Sequence, residues 1–225
     1  MRIPARCRLR GKSLLKTEGN SNAHRKAKQL ESGSCSGARF PERSTWAISP
    51  TLTQVERKQA ADWYAKQPWL VGSNYIPATA INELEMRQPD TFDPKRIDLE
   101  LGWAESIGLN TMRVFLHDLL WQQDPAGFRK RVEVFLQIAD KHKVRPIFVL
   151  FDSCWDPDPE LGKQRSPRPG VHNSGWVQSP GAKVLQDWSH YARLEFYVKG
   201  IVGAFAGDPR VMGSSLQARS ATEYC

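Results

Sequence analysis

An alternation of strand-like and helix-like patterns begins at Trp69 and constrains the fold of this 225-residue chain more than any other feature. Apolar, β-favouring runs predict strands at 69–76, 110–117 and 146–151, and residues 211–213 are predicted to start a fourth. Apolar residues at helical spacing follow the first three of these runs. Short turns lead from helix to strand and longer loops from strand to helix, which is typical of a parallel α/β sheet.

The predicted helices carry recognisable start and stop signals. Thr53 and Glu56 have the spacing of a capping box, which predicts a short helix over about 52–66. Asp93 and Asp124 each stand before a proline, so each is predicted to cap a helix whose first residue is that proline. Gly108 is predicted to end the first of these two helices. A further helix is predicted over about 181–206.

Two parallel architectures fit this order of elements. A doubly wound sheet usually has a glycine-rich phosphate turn after its first strand, whereas this strand runs into Asn-Tyr-Ile-Pro at 74–77. The sequence therefore favours a (β/α)8 barrel, of which about strands 1 to 4 are present, over residues 46–213. A complete barrel typically needs ~250 residues. Residues 214–225 show no apolar period, so we expect an unrelated tail without strand character, divergent from a longer parent.

The formal net charge of +8 is confined to the first part of the chain. Residues 1–45 hold eleven Lys/Arg and three Asp/Glu, which is the whole excess. Because this segment has few large apolar residues, it is predicted to be a disordered basic tail, either a transit peptide or an artefactual start. The rest of the chain has no net bias toward polyanions. Residues 1–45 lack the apolar region of a secretory signal, and no stretch of the sequence approaches the ~20 apolar residues of a membrane span. The compartment is therefore expected to be unknown, and cytoplasmic by default.

The four cysteines, at positions 7, 35, 154 and 225, match no zinc-binding spacing and are predicted to be unpaired thiols. Asp152, Asp156 and Asp158 could suggest a cation site, but Pro157 and Pro159 interrupt them and the spacing matches no calcium loop. We therefore expect neither a metal nor a cofactor.

In a parallel barrel the active site lies at the carboxyl ends of the strands. The candidates there are neutral, polar and aromatic, which suits a sugar, since sugars offer hydroxyls to planar polar groups and C–H faces to aromatic rings. Purely structural roles stay open as alternatives. Arg113 could form a barrel-end ion pair, His117 could cap a strand end, and Tyr75 and Trp155 could belong to the packed interior. The predicted substrate-binding residues are Asn74, Tyr75, His117, Asp152, Trp155, Asp156, His172, Asn173 and Trp176, with Arg113 beside them.

Four long segments resemble one known family. Residues 63–86, 92–125, 145–162 and 167–181, which include NYIPATAINELEM, VFLHDLLWQQDP, FDSCWDPDPELG and PRPGVHNSGWVQSPG, are similar to bacterial glycoside hydrolases of the clan A, family 5 type. Members are often labelled cellulase-like or endo-1,4-β-xylanase-like. The resemblance covers about residues 60–213.

The resemblance implies hydrolysis of O-glycosyl bonds by two glutamates, with retention. In the family the acid/base follows strand four in an Asn-Glu-Pro motif and the nucleophile ends strand seven. This sequence reads Ser-Ser-Leu-Gln at 214–217, so neither glutamate is expected here. Arg113 matches the arginine that steadies the nucleophile, and His117 and residues 152–155 fall in the family's cleft. Arg87 stands where relatives commonly have an aromatic residue. No catalytic role is carried onto Glu83, Glu85, Glu160 or Glu195.

Three hypotheses follow. The first is a glycoside hydrolase-like chain that is inactive as given, with an oligosaccharide or polysaccharide as its partner. The second is a non-catalytic carbohydrate-binding fragment that uses the aromatic cleft. The third is nucleic-acid binding through residues 1–45, which would be steeply salt-dependent. Self-association through exposed half-barrel faces is possible in each case, and no membrane partner is expected.

Overall fold

The computed structural model describes residues 53–217, which form one parallel sheet with helices packed on one face. The strands are β1 (Gly72–Tyr75), β2 (Thr111–Phe115), β3 (Arg145–Asp152) and β4 (Gly213–Gln217). The helices are α1 (Gln54–Ala65), α2 (Pro94–Ser106), α3 (Asp118–Gln123), α4 (Pro125–Lys141), α5 (Ala182–Gln186) and α6 (Tyr191–Phe205), with a 3-10 turn at Trp188–His190.

The strand order decides between the two architectures. All neighbours are parallel and the order is β1-β2-β3-β4, with no reversal. A doubly wound sheet reverses its order at a switch point, whereas a (β/α)8 barrel adds each strand beside the previous one. The predicted α/β class and partial barrel of about four strands are therefore confirmed.

Local signals explain where the helices begin. Thr53 accepts a hydrogen bond from the Glu56 amide and Glu56 accepts one from the Thr53 amide, so the predicted capping box is present. Asp93 and Asp124 cap α2 and α4, and each is followed by proline in the first turn. Gly108, with φ +85°, follows the end of α2 in the left-handed conformation that glycine adopts at least cost.

The core lies between the helices and one face of the sheet. Val114 of β2 and Phe148 and Leu150 of β3 are wholly buried there. Helix α4 faces them with five apolar residues at helical spacing, all of which are buried: Phe128, Val132, Phe135, Leu136 and Ala139. Burying each of the large side chains stabilises the fold by about 1.5–3 kcal/mol.

Three elements differ from the sequence prediction. Helix α3 was not predicted, and the single helix expected over 181–206 is broken, because Asp187 has extended backbone angles and caps the 3-10 turn. The prediction that no strand follows residue 213 is wrong. β4 runs to Gln217 and pairs with β3 from Ile147–Gly213 to Asp152–Gln217. Parallel pairing uses main-chain groups, so it does not require an apolar period in the side chains.

Predictions for residues 1–45 and for most of the C-terminal tail lie outside the described residues. Within residues 53–217, none of the helices has both the length and the apolar character needed to cross a bilayer. Cys154 is disulfide-bonded, so the expectation of unpaired thiols is wrong at that position.

Candidate carbohydrate-binding cleft

A cleft of about 460 Å³ lies at the carboxyl ends of β1, β2 and β3. The loop that follows β3 forms its other side. The cleft brings together eight of the ten residues singled out from the sequence: Asn74, Tyr75, Arg113, Asp152, Trp155, His172, Asn173 and Trp176. Ile76, Phe115 and Cys154 complete the lining. Cys154 belongs to the 152–155 segment that the resemblance places in the cleft, whereas Ile76 and Phe115 were not predicted. Phe115 could have been found, since it lies two residues after Arg113 on the same face of β2.

The floor of the cleft carries a cation and a carboxyl group. Arg113 donates a hydrogen bond from Nη1 to Asn74 Oδ1 (3.2 Å), and its guanidinium lies 5.3 Å from the centre of the Phe115 ring. Asp152 accepts hydrogen bonds from Trp176 Nε1 (3.2 Å) and from the Cys154 amide (3.3 Å). Burial raises the pKa of Asp152, although these two bonds and the charge of Arg113 act in the opposite direction. The floor is thus polar, with its groups held in place by their neighbours.

Aromatic side chains form two edge-on pairs along the cleft. Trp176 meets Phe115 with ring centres 5.2 Å apart at 85°, and Trp155 meets His172 at 5.7 Å and 73°. Trp155 has φ +81° and Asn173 has φ +49°. The left-handed region costs a bulky residue roughly 1–2 kcal/mol. The loop therefore holds the Trp155 ring at the cleft by a costly backbone conformation, which is a feature common at binding sites.

Tyr75 contributes little open surface to the cleft. Its ring stacks on Phe135 of α4 with centres 6.3 Å apart, and its hydroxyl donates to Glu100 Oε2 (3.0 Å). Burial and the neighbouring Glu100 carboxylate raise its pKa. The structural alternative considered for Tyr75 is supported by these contacts.

His117 does not reach the cleft, so its predicted contact with a ligand is corrected. The side chain is wholly buried and caps α3, accepting a hydrogen bond at Nδ1 from the Leu119 amide (3.2 Å). Nε2 lies 2.9 Å from the Gln178 carbonyl oxygen, to which a protonated Nε2 donates. Both ring nitrogens are occupied by main-chain groups, and His117 joins α3 to the end of the long loop.

Asp156 also lies elsewhere. It forms an ion pair with Arg165 and lines a separate, smaller hollow with Asp158, Glu160 and Lys163. Asp156 is thus not among the residues that line the cleft with Asp152, and a bridge pairs it with Val177 of the loop. Its predicted contact with a substrate stays a prediction.

A hydrogen-bonded network fastens the loop after β3 to the body of the protein. The Asp152 amide donates to the Ser179 carbonyl oxygen (2.7 Å), and the Ser179 amide donates back to Asp152 (2.8 Å). Ser179 Oγ also donates to Asp118 Oδ1 (3.1 Å), and Arg193 Nη1 donates to Asp118 Oδ2 (2.7 Å). Burial raises the pKa of Asp118, but the neighbouring His117 and Arg193 side chains outweigh this, and the pKa is lowered. We call His117, Asp118, Ser179 and Arg193 the loop anchor.

The loop after β1 also buries two ionisable side chains, Glu83 and Arg87, but without the hydrogen bonds that the loop anchor provides. Both side chains are buried, and neither has a hydrogen-bond partner among the described residues. The Arg87 guanidinium lies 4.6 Å from the centre of the Phe135 ring. Burial raises the pKa of Glu83 well above its usual value and lowers that of Arg87 to about 9. Arg87 packs against Phe135 of α4 and is not among the residues that line the cleft.

Within residues 53–217, no group of three or more His, Cys, Asp or Glu side chains is placed to hold a metal ion. The side chains of the cleft itself offer hydrogen bonding by Asn74, Arg113 and Asp152, and stacking by indole rings.

Comparisons with known proteins complete the description. No protein-family model matches the chain, and no curated protein matches it. Among solved structures, an exo-beta-1,4-mannosidase, Op5Man5 from Opitutaceae bacterium strain TAV5, is similar at 22% identity with a TM-score of 0.46. The alignment covers 65% of this chain and 24% of that chain, so this chain spans about a quarter of the mannosidase. A likeness at this level carries no conclusion about activity.

Proposed function

We propose that this chain is a glycoside hydrolase-like protein of the clan A, family 5 type that binds a β-linked oligosaccharide or polysaccharide without hydrolysing it. The observation that supports this most is the composition of the cleft. Two indole rings and a hydrogen-bonding floor face one open space at the carboxyl ends of the strands. Such a combination suits sugar rings, which present apolar C–H faces and peripheral hydroxyls.

The absence of hydrolysis is proposed from the carboxyl groups. A retaining glycosidase needs two, about 5–5.5 Å apart, on either side of the bond. Asp152 is the one carboxylate among the residues that line the cleft. The strand β4, where the resembled family places its acid/base, reads Gly-Ser-Ser-Leu-Gln in this chain. Arg113 then serves as a hydrogen-bond donor to a sugar hydroxyl.

The test is binding of cello-, xylo- and manno-oligosaccharides to the full chain by isothermal titration calorimetry. At least one series is expected to bind. Trp176→Ala should weaken that binding at least tenfold, or about 1.4 kcal/mol, because it removes an indole face and the donor to Asp152. Trp188→Ala is the matched control, since Trp188 is exposed and lies outside the cleft. No binding in any series, or equal loss in both variants, would contradict the proposal.

Turnover is tested separately with aryl β-glycosides. No release of the aryl group is expected. Release that disappears in Asp152→Asn would instead make the chain an enzyme with Asp152 as a participant.

Nucleic-acid binding through residues 1–45 stands as the competing proposal, because these residues hold the entire net charge. It predicts steeply salt-dependent DNA binding that disappears when residues 1–45 are deleted.

A further inference from the structure

The loops after β1 and β3 are joined by two buried side-chain amides, and the first belongs to Asn82. It donates from Nδ2 to Gln164 Oε1 (2.8 Å) and to the Gly175 carbonyl oxygen (3.0 Å). Its Oδ1 accepts hydrogen bonds from the main-chain amides of Leu84 (3.1 Å) and Glu85 (3.2 Å). A side-chain amide has two donor hydrogens and an oxygen with two lone pairs. Asn82, which is wholly buried, therefore uses every hydrogen-bonding position it has.

Gln88 carries the second amide and contacts an earlier part of the loop after β3. Its Nε2 donates to the Gly162 carbonyl oxygen (3.0 Å), and its Oε1 accepts a hydrogen bond from the Gly162 amide (2.7 Å). The Gln88 side chain is almost inaccessible. Asn82 and Gln88 are thus the same kind of group in the same loop, and each holds a main-chain group of the loop after β3. They differ in what lies beside that group.

The carbonyl group that Asn82 holds stands immediately before a residue of the cleft. Trp176 lines the cleft and donates from Nε1 to Asp152 Oδ2 (3.2 Å). Because a peptide unit is planar and rigid, holding the Gly175 carbonyl also holds the Trp176 amide, and so the main chain from which the indole ring extends. Gly162, by contrast, is not among the residues that line the cleft.

The two loops also approach each other closely at Gly175. A β-carbon added there would lie 2.4 Å from Cγ2 of Ile81, the residue before Asn82, and real β-carbons essentially never come so near another atom. Glycine is therefore the residue that fits here without a shift of one loop. The loop after β1 holds this point both by a hydrogen bond and by packing.

We propose that Asn82 is a positioning residue for the carbohydrate-binding cleft, which it serves by holding the Gly175 carbonyl and with it the Trp176 indole. Asn82 is not among the residues that line the cleft, so it acts on a ligand through Trp176. A binding group that is already held in place loses less conformational freedom when the ligand arrives, and this raises affinity. The effect on affinity rests on the proposed function, whereas the placement of the indole can be measured without a ligand.

The first measurement is hydrogen exchange at the Trp176 indole by NMR, with the resonance assigned by its loss in Trp176→Phe. Asn82→Ala should speed this exchange roughly tenfold or more, because local opening separates the indole N–H from Asp152 more often. Gln88→Ala is the matched control. It removes a buried amide between the same two loops and should leave the exchange rate close to that of wild type. Unchanged exchange in Asn82→Ala, or equal acceleration in both variants, would overturn the proposal.

A second variant keeps the test independent of whether Asn82→Ala folds. Gly175→Ala removes no hydrogen-bonding group but sets a β-carbon against Ile81, so it should speed the same exchange. The double variant Ile81→Ala, Gly175→Ala makes room for that carbon and should restore the wild-type rate. No acceleration in Gly175→Ala, or no recovery in the double variant, would each count against the proposed positioning and overturn it.

Affinity then connects the indole to the sugar. For the oligosaccharide series that the wild type binds, Asn82→Ala should raise the dissociation constant by roughly three- to tenfold, which corresponds to ordering one side chain on binding. Gln88→Ala should not raise it. An unchanged dissociation constant in Asn82→Ala would overturn the proposal. A wild type that binds no oligosaccharide would contradict the proposed function alone, and the exchange rates would still confirm or overturn the role of Asn82 in placing the indole.

Discussion

Two regions of this molecule bury ionisable side chains, and they do so in opposite ways. In the loop anchor, the Asp118 carboxylate is almost inaccessible yet accepts hydrogen bonds from both Ser179 and Arg193. In the loop after β1, Glu83 and Arg87 are equally buried with no hydrogen-bond partner among residues 53–217. Burying a charge is costly unless it is paired and hydrogen-bonded. The comparison teaches that the same degree of burial stabilises one loop and weakens the other.

The largest expected effect is at Asp118. Asp118→Ala leaves Arg193 without its partner and removes the acceptor of the Ser179 hydroxyl, so the free energy of unfolding should fall by about 3–5 kcal/mol. Urea denaturation measures it. Asp158→Ala, which breaks the exposed pair of Asp158 with Lys183, should cost less than about 1 kcal/mol. Equal losses would show that the loop anchor has no special role.

Substituting the arginines tests the comparison directly. Arg87→Met replaces an unpartnered buried cation by an apolar side chain and should raise the free energy of unfolding by about 1–4 kcal/mol. Arg193→Met makes the same chemical change in the loop anchor and should lower the free energy of unfolding, because Asp118 then loses the guanidinium that donates to it at 2.7 Å. If Arg87→Met also destabilises the protein, then Arg87 contributes more through its contact with the Phe135 ring than its burial costs.

Much of the fold could be predicted from local signals. Thr53 with Glu56 and the two Asp-Pro pairs define helix starts within the chain itself, and the apolar run of β3 indicates a strand covered by helices. Helix α3 was missed because it is six residues long, too short for a helical period to show. The prediction ended β4 too early. Residues 214–217 form a strand because their main chain pairs with β3, and the side-chain pattern of the sequence does not reveal that pairing.

The candidate cleft was predicted as a set of residues, but not as a geometry. Knowing that the carboxyl ends of parallel strands meet at one edge is enough to bring Asn74, Arg113 and Asp152 together. His117 follows the same rule in sequence, yet its ring turns into the protein to cap α3 and bond to the Gln178 carbonyl. Its partner lies 61 residues away along the chain, so the sequence gives no indication of the contact.

The two regions should also respond to pH in opposite directions, with a smaller effect than the substitutions above. Burial raises the pKa of Glu83 in the folded protein, so its contribution favours folding below about pH 4.5 and is lost as the pH rises through the folded pKa. The pKa of Asp118 is lowered, so its contribution is present above about pH 3.8 and is lost as the pH falls through the folded pKa. Urea titrations from well below pH 3.8 up to pH 8 should therefore show that Glu83→Gln gains stability relative to wild type as the pH rises. Asp118→Asn should show its deficit shrinking only below about pH 3.8. Parallel curves for wild type and Glu83→Gln would mean that the pKa of Glu83 is the same in the folded and the unfolded protein, and the contrast between the two regions would then disappear.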